Sequence, residues 1–172
     1  MIMPRGQQLL LPVNPLFIAA SLALALVWHL LPLGPVPWMP DLLMLLLAFW
    51  GVHQPERVGM GVAFVLGLLV DVGQSALLGQ HALAYTGVML GTHYGHRRML
   101  WFRPGEQALQ MLGLFAGAHA VQVMVGWLSG GLWPGWSVVS APLAETLLWP
   151  LVSWVLLAPQ RRAPDRDENR PL

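Results

Sequence analysis

The sequence predicts an all-α polytopic membrane protein, in which six transmembrane helices form one bundle and both termini lie in the cytoplasm. Three observations support this fold class. Hydrophobic residues make up 56% of the 172 residues and charged residues only 10%, whereas a soluble domain carries about 25% charged residues. The apolar residues fall into six runs with turn-forming breaks between them. All nine basic residues are arginines and lie outside those runs.

Each predicted span is delimited by its flanking residues. A helix needs about 20 mainly apolar residues to cross a bilayer, with a range of about 17 to 25. The first run exceeds a typical signal-peptide core, so we expect it to remain as a span. Pro/Gly segments end the first and fifth runs, Pro40 and Asp41 open the second, and Gln54 and Pro55 close it. The predicted spans are 14–33, 38–53, 58–72, 80–96, 105–128 and 138–158. They form one domain over 1–158, and we predict that the polar tail 159–172 is disordered.

Arginine placement sets the orientation. With six spans, the cytoplasmic segments are the N-terminus, the second-to-third and fourth-to-fifth connections, and the C-terminus. Every arginine falls in one of these segments: Arg5, Arg57, Arg97, Arg98, Arg103, Arg161, Arg162, Arg166 and Arg170. The three opposite connections contain no basic residue. This bias satisfies the positive-inside rule and predicts a multi-pass protein of the bacterial inner membrane.

Small residues four apart form stripes on three predicted spans. The candidate structural or partner-facing glycines on these stripes are Gly67, Gly87, Gly91, Gly95, Gly113 and Gly117. Such stripes let membrane helices approach closely. We favour packing within the bundle, and the alternative is that one stripe receives a helix from a partner protein. Glutamines also interrupt the fifth span, and we expect Gln107, Gln110 and Gln122 to form interhelical hydrogen bonds.

Three carboxylic acids, Asp41, Asp71 and Glu145, fall in or near the outer half of the membrane. Intramembrane acids are costly, so each one is a candidate functional residue. Asp41 follows Pro40 at a helix start, where capping of free backbone N–H groups is the favoured role. Asp71 is balanced between structural anchoring and function, and the role of the deeper Glu145 is open. No arginine lies on the outer side to pair with them, so they must be protonated, hydrogen-bonded or in contact with water.

The histidines give weak indications of chemistry. His93 and His96 have a spacing that suits two metal ligands, but Arg97 and Arg98 beside them disfavour a cation. We therefore predict no metal site, no cofactor and a headgroup-facing role for these two residues. An intramembrane serine hydrolase would need a serine beside a histidine such as His119, and no serine has a recognisable nucleophile context. No catalytic residue is predicted.

The ordered motifs between Pro40 and Arg98 resemble a known family. Pro40-Asp41 opens a leucine-rich span that closes on Phe49-Trp50. A glycine-rich span then ends in Gly-Leu-Leu-Val-Asp at 67–71, and Leu-Gly-x-x-Ala-Leu follows at 78–83 before Tyr85 and Arg97-Arg98. This segment, about a third of the chain, resembles the MreD family of rod shape-determining proteins.

The resemblance implies a non-enzymatic membrane component of the elongasome, the machinery of lateral peptidoglycan synthesis. It implies binding to MreC, through its membrane helix or periplasmic domain, in an assembly with MreB, a peptidoglycan polymerase and a transpeptidase. It also implies a fold similar to the substrate-binding subunits of energy-coupling-factor transporters. Carried over by motif, Asp41 and Asp71 are the matched acids and Gly67 and Gly79 the matched glycines; Glu145 is not part of the motif. Our leading hypothesis is a scaffold that maintains rod shape, and the alternative is a small-molecule-binding transporter subunit.

Overall fold

The computed structural model describes residues 13–31, 39–131, 133 and 135–160, and within these ranges it contains six α-helices and no strand. The helices are α1 (Pro15–Leu30), α2 (Leu42–His53), α3 (Met60–Gly73), α4 (Gln80–Met99), α5 (Pro104–Leu128) and α6 (Ser140–Leu157). Short 3-10 helices, Trp136–Val139 and Ala158–Gln160, flank α6. The predicted all-α class is thus confirmed for the described part of the chain.

The core is built around α2. This helix is apolar on every side, and a helix of that kind is stable where neighbours surround it. It contacts α1, α4 and α6, and nine of its twelve residues are buried. Trp50 on α2 packs edge-to-face against Phe17 of α1, and its Nε1–H donates to Ser21 Oγ at 3.0 Å. Its neighbours enclose it, so α2 lies in the interior of the bundle.

The α3–α4 hairpin is the most closely packed helix pair. The buried positions of α3 are Ala63, Gly67, Val70 and Asp71, a spacing that forms one helical face. That face lies against α4. A short connection ends at Gly79, whose φ of +99° is in the left-handed region that favours glycine.

Helix α5 begins with Pro104 at its first position, and Glu106 accepts the backbone N–H of Arg103 at 3.1 Å. It packs against α4 and α6. Trp149 of α6 is fully buried between the rings of Phe49 and Phe115, and its Nε1–H donates to Gln107 Oε1 at 3.2 Å. The interhelical hydrogen bond predicted for Gln107 is therefore confirmed. The same contact accounts for a tryptophan side chain in the middle of α6.

The outside of the bundle is apolar. Leu16 is 74% exposed, Leu109 74% and Leu147 80%. Soluble proteins rarely expose contiguous apolar surface on this scale. Helix α5 and the segment Ser140–Gln160 are long and apolar enough to cross a membrane, and α1, α2 and α3 are shorter apolar helices. An apolar core inside an apolar exterior is the arrangement expected of a helical membrane protein.

Helix ends differ modestly from the predicted spans. Helix α4 continues to Met99 rather than 96, so Arg97 and Arg98 are helical. Helix α6 starts at Ser140 rather than 138, because Trp136–Val139 is a 3-10 turn. The end of the first predicted span, the connection at 34–37, the start of the second span at Trp38 and residues 161–172 of the predicted tail lie outside the described residues.

Candidate functional site: a buried cluster of acids and histidines

Asp41 is the N-cap of α2 and is almost completely buried. Its Oδ1 accepts the backbone N–H of Met44 at 2.9 Å, which confirms the capping role predicted from the sequence. Its Oδ2 accepts the hydroxyl of Tyr85, on α4, at 2.6 Å. His29 of α1 places Nδ1 at 3.4 Å from Oδ1. One carboxylate thus joins α1, α2 and α4.

Glu145 extends this network to the last two helices. Its side chain is fully buried, and its Oε1 accepts the backbone N–H of Asp41 at 2.9 Å. His119 of α5 places Nε2 at 2.8 Å from the same oxygen. We call Asp41, Glu145, Tyr85, His29 and His119 the polar cluster. It connects five helices, α1, α2, α4, α5 and α6, inside an otherwise apolar core.

Asp71 caps a neighbouring helix instead of its own. Gly79 is the N-cap residue of α4 and has no side chain that could cap the helix. Asp71 is fully buried near the end of α3 and supplies the missing acceptors. Its Oδ2 accepts the Gly79 N–H at 2.8 Å, and its Oδ1 accepts the His81 N–H at 2.9 Å. His81 Nδ1 also lies 2.8 Å from Oδ1. An acid at a helix N-terminus is favoured by the free N–H groups and by the helix dipole.

The glycines of the same motif explain why the Asp71 side chain can reach the N-terminus of α4. A Cβ on Gly67 would lie within 2.6 Å of the Ala82 backbone nitrogen, so only glycine permits this approach of α3 to α4. Gly67, Asp71, Gly79 and Ala82 therefore form one structural unit. Gly67 and Ala82 bring α3 and α4 together, and Asp71 caps α4 at its N-cap residue Gly79. The two halves of the sequence motif are explained by a single helix–helix contact.

The histidine partners of the acids were missed by sequence reasoning. His29, His81 and His119 each lie beside one acid, at 3.4, 2.8 and 2.8 Å. His81 lies two residues after the N-cap of α4. Its position in the first turn of a helix is one where an acid from another helix could cap the backbone and contact the imidazole. His119 and Glu145 lie on different helices, 26 residues apart, and no local pattern links them.

Not every glycine stripe serves packing within the bundle. A Cβ on Gly91 would meet Leu114 of α5, and one on Gly95 would meet Met99 of its own helix. A Cβ on Gly87, Gly113 or Gly117 would meet nothing within 4 Å. Packing inside the bundle is therefore the wrong explanation for these three glycines. Their faces look outward, as the exposure of all three residues shows.

A groove of 400 Å³ continues the outward face of α5. It lies between α5, α6 and the 3-10 turn before α6, and its walls are almost entirely apolar. Its lining includes Ala116, Ala120, Met124, Trp133, Val139 and Pro142. His119 of the polar cluster also borders it.

The site offers little for catalysis. Among the described residues, no group of three His, Asp or Glu could hold a metal ion. His93 and His96, the pair with metal-ligand spacing, instead form a local contact in which His96 Nδ1 lies 2.7 Å from the His93 carbonyl oxygen. His119 is directed at Glu145. The polar groups hold helices together and cap their ends.

Comparisons with known proteins agree with this structural role. The chain matches the family model described as rod shape-determining protein MreD over residues 7–159. It is 29% identical over 133 residues to Rod shape-determining protein MreD of Haemophilus influenzae, an alignment that covers 73% of this chain and 76% of that protein. No solved structure matches it significantly. Members of this family are shape-determining structural proteins and not enzymes. Since the family match spans nearly all of the described fold, the chain belongs to the MreD family of rod shape-determining membrane proteins.

Proposed function

We propose that this chain is a non-enzymatic inner-membrane scaffold that binds MreC and helps position cell-wall elongation, together with MreB, a peptidoglycan polymerase and a transpeptidase. Family membership supports a role in rod shape. The observation that carries the scaffold proposal is the polar cluster: its buried polar groups are used to tie five helices to one another. A rigid bundle of that kind presents fixed outer faces to partners.

The proposal includes six membrane crossings with both termini in the cytoplasm. Helix connectivity supports it, because the acids and the arginines separate to opposite ends. Asp41 caps the start of α2, Asp71 lies near the end of α3 and Glu145 lies near the start of α6. Glu145 accepts the Asp41 N–H, and both aspartates accept hydrogen bonds from the first two turns of α4, so these four helix ends lie on one side of the bundle. Arg57 and Arg97 lie at the other ends of the same set of helices. The arginine end is then cytoplasmic by the positive-inside rule.

For the MreC contact we propose the outward face of α5. Gly113 and Gly117 are exposed there with open space beside them. Ala116 and Ala120 extend the small-residue face into the apolar groove. Small residues four apart allow a second membrane helix to approach closely. This face therefore suits the single membrane helix of MreC.

Co-purification from native membranes tests both parts of the proposal. MreC should co-purify with the wild-type chain, and the double substitution Gly113→Leu/Gly117→Leu should abolish that association without lowering thermal stability. Gly59→Leu/Gly61→Leu is the matched control, since a Cβ at either position also meets nothing within 4 Å; it should keep MreC. If the α5 variant still co-purified with MreC, the outward face of α5 would not be the MreC interface. If wild type fails to capture MreC and its depletion leaves cells rod-shaped, the scaffold proposal is wrong.

A second candidate function is a small-molecule-binding subunit similar to those of energy-coupling-factor transporters. Two observations favour it. Glu145 Oε2 is buried with no hydrogen-bond partner among the described residues, and its partner His119 borders the groove. A vitamin-like compound found in the purified sample, or one that raises the melting temperature as its concentration rises, would support this function. An unchanged melting temperature across a panel of such compounds would argue against it.

A further inference from the structure

The end of α4 and the turn that follows carry three exposed arginines, Arg97, Arg98 and Arg103. The salt bridges found in the described ranges involve only histidines and acids. Arg57, on the same side of the proposed topology, behaves differently, because it donates to the Val13 carbonyl. The nearest acid along the chain, Glu106, is engaged with the backbone N–H of Arg103. Three guanidinium groups within seven residues therefore lack an anionic side chain among the residues that the structure describes.

Exposed aromatic side chains accompany these arginines. Tyr94 is 82% exposed and Trp101 is 90% exposed. Tyr94 precedes Arg98 by one helical turn and lies on the same face of α4. Trp101 lies in the turn that follows the helix. Tyrosine and tryptophan concentrate at the headgroup level of a bilayer, because one end of each ring is apolar and the other polar. The two exposed rings, one before and one after Arg97 and Arg98 in the chain, therefore place these arginines at headgroup depth.

We propose that residues 94–103, the basic turn, bind the phosphate headgroup of an anionic phospholipid. Planar guanidinium groups donate paired hydrogen bonds to phosphate oxygens. Basic segments beside membrane helices gain about 1 kcal/mol per arginine from anionic lipid. The α4 dipole also favours cations at its C-terminus, but it does not account for Trp101 and Arg103, which lie beyond the helix. An acidic protein surface could neutralise the arginines, but it would leave the rings of Tyr94 and Trp101 without apolar surroundings, so a lipid is the better ligand.

Lipid binding to the purified full-length chain tests this site. Native mass spectrometry in detergent would compare phosphatidylglycerol with phosphatidylcholine of identical acyl chains. Wild type should bind phosphatidylglycerol more tightly than phosphatidylcholine. The double substitution Arg97→Gln/Arg98→Gln should lower the affinity for phosphatidylglycerol by about 30-fold. Phosphatidylcholine binding should not change. If the double variant folds poorly, Arg98→Gln alone should lower the affinity for phosphatidylglycerol by about fivefold.

Arg161→Gln/Arg162→Gln is the matched control, since it removes the same charge from the same proposed side of the membrane. It should leave phosphatidylglycerol binding within about twofold of wild type. If this control lost as much affinity for phosphatidylglycerol as the α4 variant, the lipid would be attracted by the overall positive charge and not by a specific site, and the proposal would be overturned. Equal binding of the two lipids by wild type would overturn it too. If soluble glycerol phosphate displaced the lipid, the site would recognise phosphate without a lipid, and the proposal of a lipid ligand would be overturned. Capture of an acidic cytoplasmic protein through these arginines, without any lipid preference, would assign the basic turn to a protein partner.

Discussion

Each acid in the core of this bundle has defined donors. Burying a carboxylate without partners costs several kcal/mol, so an isolated acid would be strongly destabilising in an apolar core. Asp41 receives the Met44 N–H and the Tyr85 hydroxyl, and Asp71 receives the N–H groups of Gly79 and His81. Glu145 receives the Asp41 N–H. Backbone and tyrosine donors therefore stabilise these acids where the sequence supplies no arginine.

Tyr85→Phe tests the hydroxyl contact with Asp41. The ring stays buried and only the oxygen is removed, so the loss should reflect the 2.6 Å hydrogen bond to a carboxylate. We expect destabilisation of about 1 to 3 kcal/mol, seen as a lower melting temperature of the protein in detergent by tryptophan fluorescence. Tyr94→Phe is the control, because the only other tyrosine is exposed and should be neutral. Equal melting temperatures for both variants would show that the contact contributes nothing.

At the scale of elements, the α3–α4 hairpin shows how a short motif specifies a helix contact. Gly67 removes the side chain at the crossing, and Asp71 caps α4 one turn further along α3. Gly79 provides both the left-handed backbone and an N–H for the cap. Each of these residues depends on the others, since the cap works only if the helices are close.

Gly67→Ala should separate the two helices. The added methyl group would clash with the Ala82 backbone, which cannot move aside as a flexible side chain would. Overpacking of this kind costs about 1 to 3 kcal/mol, and unfolding of the purified protein in detergent would measure it. Gly61→Ala on the same helix meets nothing within 4 Å and should be neutral or slightly stabilising, since alanine favours helix. Comparable stability of the two variants would refute the close α3–α4 contact.

For the whole molecule, the proposed topology predicts which side of the membrane each loop faces. The chain has no cysteine, so single cysteines can be introduced without background labelling. Ser75→Cys and Ser129→Cys should react with an impermeant thiol reagent outside intact spheroplasts, whereas Glu56→Cys and Arg98→Cys should react only after lysis. All four positions are exposed, so a lack of labelling reports the side and not burial. Labelling of Arg98→Cys in intact spheroplasts would exclude this orientation.

Much of this architecture is determined by the sequence alone. Hydropathy and arginine placement act locally, because each segment is stable in lipid or water according to its own composition. They therefore predicted a helix within each of the six runs. The capping role of Asp41 was also predictable, since its acceptor and donor lie three residues apart.

Only the tertiary structure decided which polar groups meet. Asp41 and Glu145 lie 104 residues apart, and the hydrogen bond between them exists because α2 and α6 pack side by side. Likewise, the stripes of glycine look alike in sequence, yet Gly67 lies at a helix crossing and Gly113 faces outward. Composition determines where a segment is solvated, whereas the partner of a side chain depends on the rotation and packing of whole helices. That is why the histidines beside the acids emerged only from the fold.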